Sequence, residues 1–360
     1  MRIALLSTAA VSVPPSGYGG TERVLAVLAD GLVAAGHDVT LFATGDSTTR
    51  AKLRALYPGP VWPIDQLSEL NHAAWAVAEI GRTGGFDVVH ANQPHALPLL
   101  RFLRVPCVYT MHHDRQEALA RFYAQFPDVH YVAISERQRA MHASPAQPHL
   151  HLVRHGLDPA AWPFVAAPDG YVCFLGRFAP MKGPHLAVDA ARRAGVPIRL
   201  GGCPHPGEGE EFHAREIVPR LAQPGVEWLG EVRGEAQQRL LGRARATLFP
   251  IAWEEPFGLV MIESMVCGTP VIAFPRGAAR EVVEEGTTGL LVEDVDAMAA
   301  AIARADTIDR ARCRARAVER FGAERMVRDY LRVYAAAIAE TRVARELVAT
   351  LVAEPVAGSG

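Results

Sequence analysis

Two glutamates, Glu255 and Glu263, are separated by seven residues inside one stretch, residues 248–275 (LFPIAWEEPFGLVMIESMVCGTPVIAFP). The stretch reads as strand, loop, helix, turn and strand. Pro256 suits a first helical position, where its missing N–H would be unpaired anyway, so the pattern predicts a helix opening at residue 256. Gly268 fits the left-handed cap at its far end. Eight residues of helical rise span about 12 Å, roughly the reach of a diphosphate joining a ribose to a hexose. The amides of Phe257, Gly258 and Leu259 fall between the two acids, and a helix N-terminus is a ready anion site. One segment thus offers a ribose acceptor in Glu263, a phosphate cradle, and a sugar acceptor in Glu255. The plain alternative is an ordinary βαβ unit with solvated acids, and spacing alone does not separate the two.

Other groups bear on that choice. Arg177 and Lys182 lie on one loop, GRFAPMKG at 176–183. Arg can fork two phosphate oxygens while Lys acts as a point charge, so together they can neutralise a diphosphate. The glycines Gly19 and Gly20 precede a helix and permit close backbone approach to a ligand. They do not form G-x-G-x-x-G, so the dinucleotide fingerprint is absent. His112, His113 and Asp114 follow an apolar run, at the end of a strand where α/β sheets place ligands. Either histidine can serve as a base or as a hydrogen-bonding group.

Two alternations of strand and helix must position these residues. The first gives strands near 3–8, 39–43, 86–90, 105–111 and 128–134, with helices over 21–35, 67–81 and 135–142. Residues 158–170, rich in Pro and Ala, read as a linker. The second gives strands at 171–175, 198–201, 226–229 and 246–249, with helices over 184–194, 211–221 and 235–244. Residues 277–285 read as loop and helix, and 286–292 as a turn into a short strand. Residues 296–305 and 311–345 read as helical, with a break near 321–322. Residues 354–360 read as a frayed tail. The Arg and Ala of the later helices read as solvated faces.

Composition excludes several classes. With 49% hydrophobic and 21% charged residues the chain can bury a real core and is not disordered. A formal net charge of −2 argues against a nucleic-acid binder driven by bulk charge. The five cysteines are scattered, with no C-x-x-C, so neither a zinc cage nor a disulfide framework is indicated. That usage fits a reducing cytoplasm. The N-terminal apolar run is short and reads as a first strand rather than a signal peptide. No apolar run reaches the length of a membrane span, which leaves peripheral membrane contact open.

Gly-Arg-x4-Lys-Gly at 176–183, Glu-Pro-Phe-Gly-Leu-x3-Glu at 255–263 and Gly-Thr-Pro-Val-Ile at 268–272 together resemble the family-four retaining glycosyltransferases of the GT-B fold. Gly-Gly-x-Glu at 19–22, Thr-Met-His at 110–112, Ser-Glu at 135–136 and Gly-Thr-Thr-Gly-Leu-Leu-Val at 286–292 fit the same family. The resemblance runs to about residue 335. It implies an α/β chain of two Rossmann-like domains with parallel sheets facing a central cleft. The acceptor-side domain would be 1–165 and the nucleotide-sugar donor domain 166–325. A helix over 326–345 would cross back to the first domain, followed by a tail at 346–360.

Carried over by position, Arg177 and Lys182 contact the diphosphate and Glu263 binds the ribose hydroxyls. Glu255 and the amides of Phe257, Gly258 and Leu259 hold sugar and phosphates. Gly20, beside Gly19, contacts the diphosphate, and His112 sits near the transferred sugar. No metal or other cofactor is implied, and no Asp-x-Asp motif is present. Two features depart from the family. His155-Gly156 stands where Asn-Gly is usual, and the 202–209 loop is longer than expected.

The resulting reading is a metal-independent retaining hexosyltransferase, moving a hexose from a nucleoside diphosphate sugar, UDP-glucose first, to an unidentified acceptor hydroxyl. Acceptor choice would lie in residues 13–22, 90–95 and 112–123. The rivals are a nucleotide-sugar epimerase or phosphorylase of the same fold, and a non-catalytic nucleotide-sugar-binding protein.

Overall fold

The computed structural model describes residues 1–17, 19–204 and 207–353. It divides into two compact units. Unit 1 comprises Met1–Ala133, His142–Val153 and the chain from Met326; unit 2 comprises Ile134–Met141 and Arg154–Arg325.

Unit 1 is built on a seven-stranded parallel sheet: β1 (Arg2–Leu6), β2 (Asp38–Phe42), β3 (Lys52–Arg54), β4 (Val88–Ala91), β5 (Cys107–Thr110), β6 (His130–Ala133) and β7 (Leu150–Leu152), in the order β3-β2-β1-β4-β5-β6-β7. Ile3, Ala4, Leu5 and Leu6 are all fully buried. A parallel strand covered on both faces is expected to be apolar at successive positions in this way. The helix Gly20–Ala34 turns Val24, Leu25, Leu28 and Leu32 inward, one stripe at helical spacing. The helix Gln66–Thr83 is capped by Asp65, whose carboxylate accepts from the amides of Leu67 and Ser68.

Unit 2 holds a six-stranded parallel sheet: β8 (Val172–Leu175), β9 (Ile198–Gly201), β10 (Val226–Trp228), β11 (Thr247–Phe249), β12 (Val271–Ala273) and β13 (Gly289–Leu291), in the order β10-β9-β8-β11-β12-β13. The helix Leu259–Val266 is fastened to β11 through polar groups. Thr247 and Ser264 hydroxyls lie 2.7 Å apart, and Ser264 donates to the Thr269 carbonyl at 3.0 Å. Gly268 takes the left-handed conformation expected of it (φ 89°).

Several boundaries differ from the sequence reading. The segment 158–170 is not a linker. Trp162 is buried, Val165 N–H donates to Cys267 O at 3.1 Å, and the Arg310 guanidinium donates to the carbonyls of Val165, Ala244 and Gly242. Pro and Ala here serve packing, and the units divide at Val153/Arg154 rather than at 165. The helix read from residue 256 starts at Leu259. The break near 321–322 falls at Gly322, but the terminal helix then runs Ala323–Ala353, through most of the stretch read as tail. Residues 354–360, Tyr18 in the 13–20 loop and residues 205–206 in the 202–209 loop lie outside the described residues. Strand β3 was missed, because three residues carry no readable period.

Cys107, Cys173, Cys267 and Cys313 are buried free thiols, as core filling requires. Among the described residues no helix is long and apolar enough to cross a membrane.

Candidate active site

Strand order places the charged groups of unit 2. β8 and β11 are neighbours, with β9 and β10 running out on one side and β12 and β13 on the other. The loops leaving their C-terminal ends diverge at this switch point, where open α/β sheets hold ligands. The loop after β8 carries Arg177 and Lys182; the loop after β11 carries Glu255.

The two loops are fixed to one another. Ala252 N–H donates to Met181 O at 2.8 Å. Gly183 adopts φ 73°, and a Cβ built there would lie 2.2 Å from the Pro250 carbonyl oxygen. Only glycine permits that approach, which sets Lys182 beside Glu255. Lys182 Nζ donates to Glu255 Oε2, and Trp253 Nε1 donates to the same oxygen at 2.9 Å. The ammonium also lies 4.8 Å from the centroid of the Trp253 ring. The side chains of Lys182 and Glu255 are only 15% and 11% exposed. Two charges so far out of water are tolerated because each has the other and a further partner.

Glu263 projects from the helix Leu259–Val266, buried, and accepts from Gln237 Nε2 at 2.8 Å. Neither acid is the solvated surface glutamate of the plain alternative. Arg177 lies half-buried just past β8.

The phosphate-cradle end is displaced from its predicted place. The N-cap is Gly258, left-handed at φ 82°, with no side-chain cap. Met261 N–H returns to Gly258 O at 3.0 Å, so Leu259 and Val260 carry the leading amides of the helix. Phe257 contributes a buried ring instead. It meets His155 edge-on at 5.0 Å and Phe321 at 5.9 Å. The departure at His155 thus has a structural account: the imidazole supports the residue entering the Gly258 cap. Arg325 fixes that backbone by donating to the carbonyls of Arg154 and His155.

Unit 1 holds the remaining predicted residues. Gly19 is the N-cap and Gly20 the first residue of the helix Gly20–Ala34, directly after β1. His112 follows β5. Its Nε2 lies 2.9 Å from Asn92 Oδ1, while Asn92 Nδ2 donates to Leu6 O at 3.2 Å. The Leu6 carbonyl fixes the amide orientation, so Oδ1 must accept and His112 is the Nε2–H tautomer. Burial, helped by nearby His113, holds the His112 pKa down to about 3. The ring is therefore neutral at physiological pH. His113 is structural: Nδ1–H donates to Asp114 O at 2.7 Å, and Nε2 accepts from Tyr123 OH at 2.6 Å.

Beneath His112 a buried polar chain reaches the terminal helix. His90 Nδ1 lies 2.8 Å from Tyr334 OH and Nε2 lies 2.8 Å from Thr110 Oγ1, which is 2.9 Å from Tyr330 OH. Glu22, in the Gly-Gly-x-Glu motif, accepts from Thr8 Oγ1 at 2.9 Å. Glu69 accepts from Ala9 N–H at 2.9 Å. Burial, with a smaller contribution from Glu22, raises the Glu69 pKa to about 7.

Sequence reasoning missed Trp253, Gln237, Asn92 and Glu69. Trp253 stands two residues before Glu255, and a search for indole donors beside the acid would have found it. Asn92 follows a strand inside a segment marked for acceptor choice. Gln237 and Glu69 carry no local signal, since only the folded sheet brings them in.

Residues 164–320 match the family model for glycosyl transferases group 1, and residues 18–161 match that for glycosyltransferase family 4. A phosphatidyl-myo-inositol mannosyltransferase of Mycolicibacterium smegmatis is 28% identical, covering 84% of this chain and 84% of its own. A D-inositol 3-phosphate glycosyltransferase of Frankia alni is 29% identical, covering 94% of this chain and 100% of its own. Among solved structures, AviGT4, a glycosyltransferase involved in avilamycin A biosynthesis, superposes with TM-score 0.71 at 25% identity, covering 94% of this chain and 98% of its own. Anabaena Alr3699/HepE, in complex with UDP and glucose, gives TM-score 0.72 at 22% identity, covering 93% and 99%. The two family models take in most of the sequence, each unit has its own parallel sheet, and the charged groups of unit 2 flank a switch point; the chain belongs to the family-four glycosyltransferases of the GT-B fold.

Proposed function

We propose that this glycosyltransferase is a metal-independent retaining enzyme that moves a hexose from a nucleoside diphosphate sugar to an acceptor hydroxyl. The observation that carries this reading is the set of charged side chains at the β8/β11 switch point: Lys182 paired with the buried Glu255, half-buried Arg177 on the same loop as Lys182, and buried Glu263 eight residues along the chain from Glu255.

The chemistry asked of these residues is stabilisation of the departing diphosphate. Arg177 and Lys182 neutralise charge that grows as the glycosidic bond breaks, and the leading amides of the helix Leu259–Val266 add fixed dipoles. For Lys182 to turn to phosphate, Glu255 must exchange the ammonium for sugar hydroxyl donors, so donor binding and release of this ion pair are one event. Glu263 accepts from the ribose hydroxyls. His112, neutral and fixed in one tautomer, orients the transferred sugar and need not titrate. Acceptor attack on the face the diphosphate leaves, with a diphosphate oxygen taking the hydroxyl proton, preserves the anomeric configuration without an enzyme nucleophile. The relatives named for inositol-bearing acceptors make inositol phosphates the first acceptors to try.

The test is a thermal-shift screen with UDP-, GDP-, ADP- and dTDP-sugars, UDP-glucose first and mannosyl donors included, each with and without a chelator. A ligand of the native state raises the melting temperature by mass action. No shift with any sugar nucleotide removes the donor assignment. Product anomer analysis by NMR then decides between retention and inversion. Turnover to a new sugar nucleotide without acceptor would favour an epimerase.

A further inference from the structure

Away from the residues discussed above, three histidines and a glutamate converge at the edge of the unit 1 sheet. His149 precedes β7 and His151 lies within it, two residues apart and so on one face. The register pairs Tyr131 with Leu150, which sets His130 of β6 opposite His149. The His130 ring stacks on His149 at 4.6 Å and on His151 at 5.2 Å. Glu340 of the terminal helix completes the group: its Oε2 lies 3.2 Å from His130 Nε2 and 3.0 Å from His149 Nδ1.

We propose that His130, His149 and Glu340 form a site for a divalent transition metal of the zinc type, with His151 orienting His130 from behind. The donor set decides the class. Two imidazoles and a carboxylate suit Zn2+, Ni2+ or Cu2+, whereas Mg2+ and Ca2+ prefer oxygen ligands alone. The ligand atoms lie within 4.8 Å of one another. Two bonds of about 2.1 Å span at most about 4.2 Å, so metal binding draws the ligands together by a fraction of an ångström. His149 and Glu340, 31% and 50% exposed, have room to make that adjustment and give the ion a route in from solvent.

His130 is buried, and its Nδ1 lies 3.0 Å from His151 Nε2. That contact holds the ring with Nε2 toward Glu340, the second-shell arrangement usual for metal-bound histidine. The bound ion would fasten the terminal helix to strands β6 and β7 within unit 1. It lies outside the transfer chemistry and does not rest on the donor assignment.

The experiment uses the full chain, stripped with a chelator and dialysed, then titrated with Zn2+ by calorimetry and with Co2+ by visible absorption. Mg2+ is the negative control. One equivalent of Zn2+, a Co2+ ligand-field band and a melting temperature raised by several degrees are expected. His149→Ala and Glu340→Gln alter partly exposed side chains, and both should lose all three signals while keeping the metal-free melting temperature. Wild-type protein that binds no stoichiometric metal, or variants that bind as tightly as wild type, would overturn the proposal. Should His149→Ala fold poorly, Glu340→Gln alone decides, because its side chain is half exposed.

Discussion

The two units handle buried ionisable groups by opposite means. Unit 2 keeps charges and pairs them: Lys182 with Glu255, and Arg220 with Asp189 at 2.9 Å. Unit 1 keeps imidazoles neutral. Burial lowers the pKa of His90 and His112 to about 3 and that of His142 to about 4. Under the proposed function the contrast is a division of labour. A diphosphate is matched by cations held ready against a carboxylate. A sugar or polyol hydroxyl is matched by fixed neutral donors and acceptors.

The largest effect should come from breaking the unit 2 pair. Lys182→Ala is expected to lower kcat about 10²–10³-fold with the donor found in the screen, and Glu255→Ala by a similar factor. The double variant should fall less than the product of the two, because each single change already destroys the same pair. Wild-type turnover in both single variants would show that the charged cluster is structural and that the contrast has no functional meaning.

That cluster was the most legible part of the sequence. Arg177, Lys182 and Glu255 stand on loops leaving strand ends and Glu263 on the helix that follows, with glycines around them, and local rules reach that far. The helix start was misplaced by three residues because Pro256 looked like a first helical position, while Pro256 and Phe257 pack before the left-handed Gly258 cap. Unit 1 was harder to read. Asn92 determines the tautomer of His112 from another strand, and Glu69 reaches the end of β1 from a helix some sixty residues later. Such partners are set by sheet order, which spacing along the chain does not encode. The linker error has the same origin: Pro and Ala over 158–170 look loose until Arg310 is seen holding their backbone.

Gly183→Ala tests how the unit 2 pair is positioned. A methyl group would meet the Pro250 carbonyl, and the backbone would be strained besides, so a stability loss of about 1–3 kcal/mol is expected by denaturant melts. Donor turnover should fall with it. An unchanged melt would mean that the loop is not held against β11.

In unit 1 the corresponding change is Asn92→Asp. A carboxylate facing the Nε2–H of His112 should raise its pKa by about 1–3 pH units from about 3, followed by imidazole NMR titration. An unmoved titration would remove Asn92 as the orienting group.

The smallest effect is a pH slope. His90, His112 and His142 titrate near 6.5 when unfolded and well below that when folded. The unfolded chain binds more protons between those values, so their contribution is full above about pH 6.5 and is lost as pH falls toward about 3. Glu69 has the opposite sign: with a folded pKa of about 7, its contribution is full below about 4.5 and is lost as pH rises through 7. Melting temperature against pH should therefore decline on the acid side, and Glu69→Gln, by removing the opposing slope, should make it rise more steeply with pH between about 4.5 and 7. Parallel profiles for the two proteins would refute the Glu69 assignment.

The terminal helix has a consequence for the order of synthesis. Tyr330 and Tyr334 supply the hydroxyls that meet Thr110 and His90 deep in unit 1, yet they lie near the end of the chain. A ribosome releases all of unit 2 before those hydroxyls emerge. The unit whose strands are made first is thus completed last, and until then His90 has Thr110 on Nε2 but not the Tyr334 hydroxyl on Nδ1. A chain stopped at Arg325 would keep every strand of both sheets and still leave the first one unfinished.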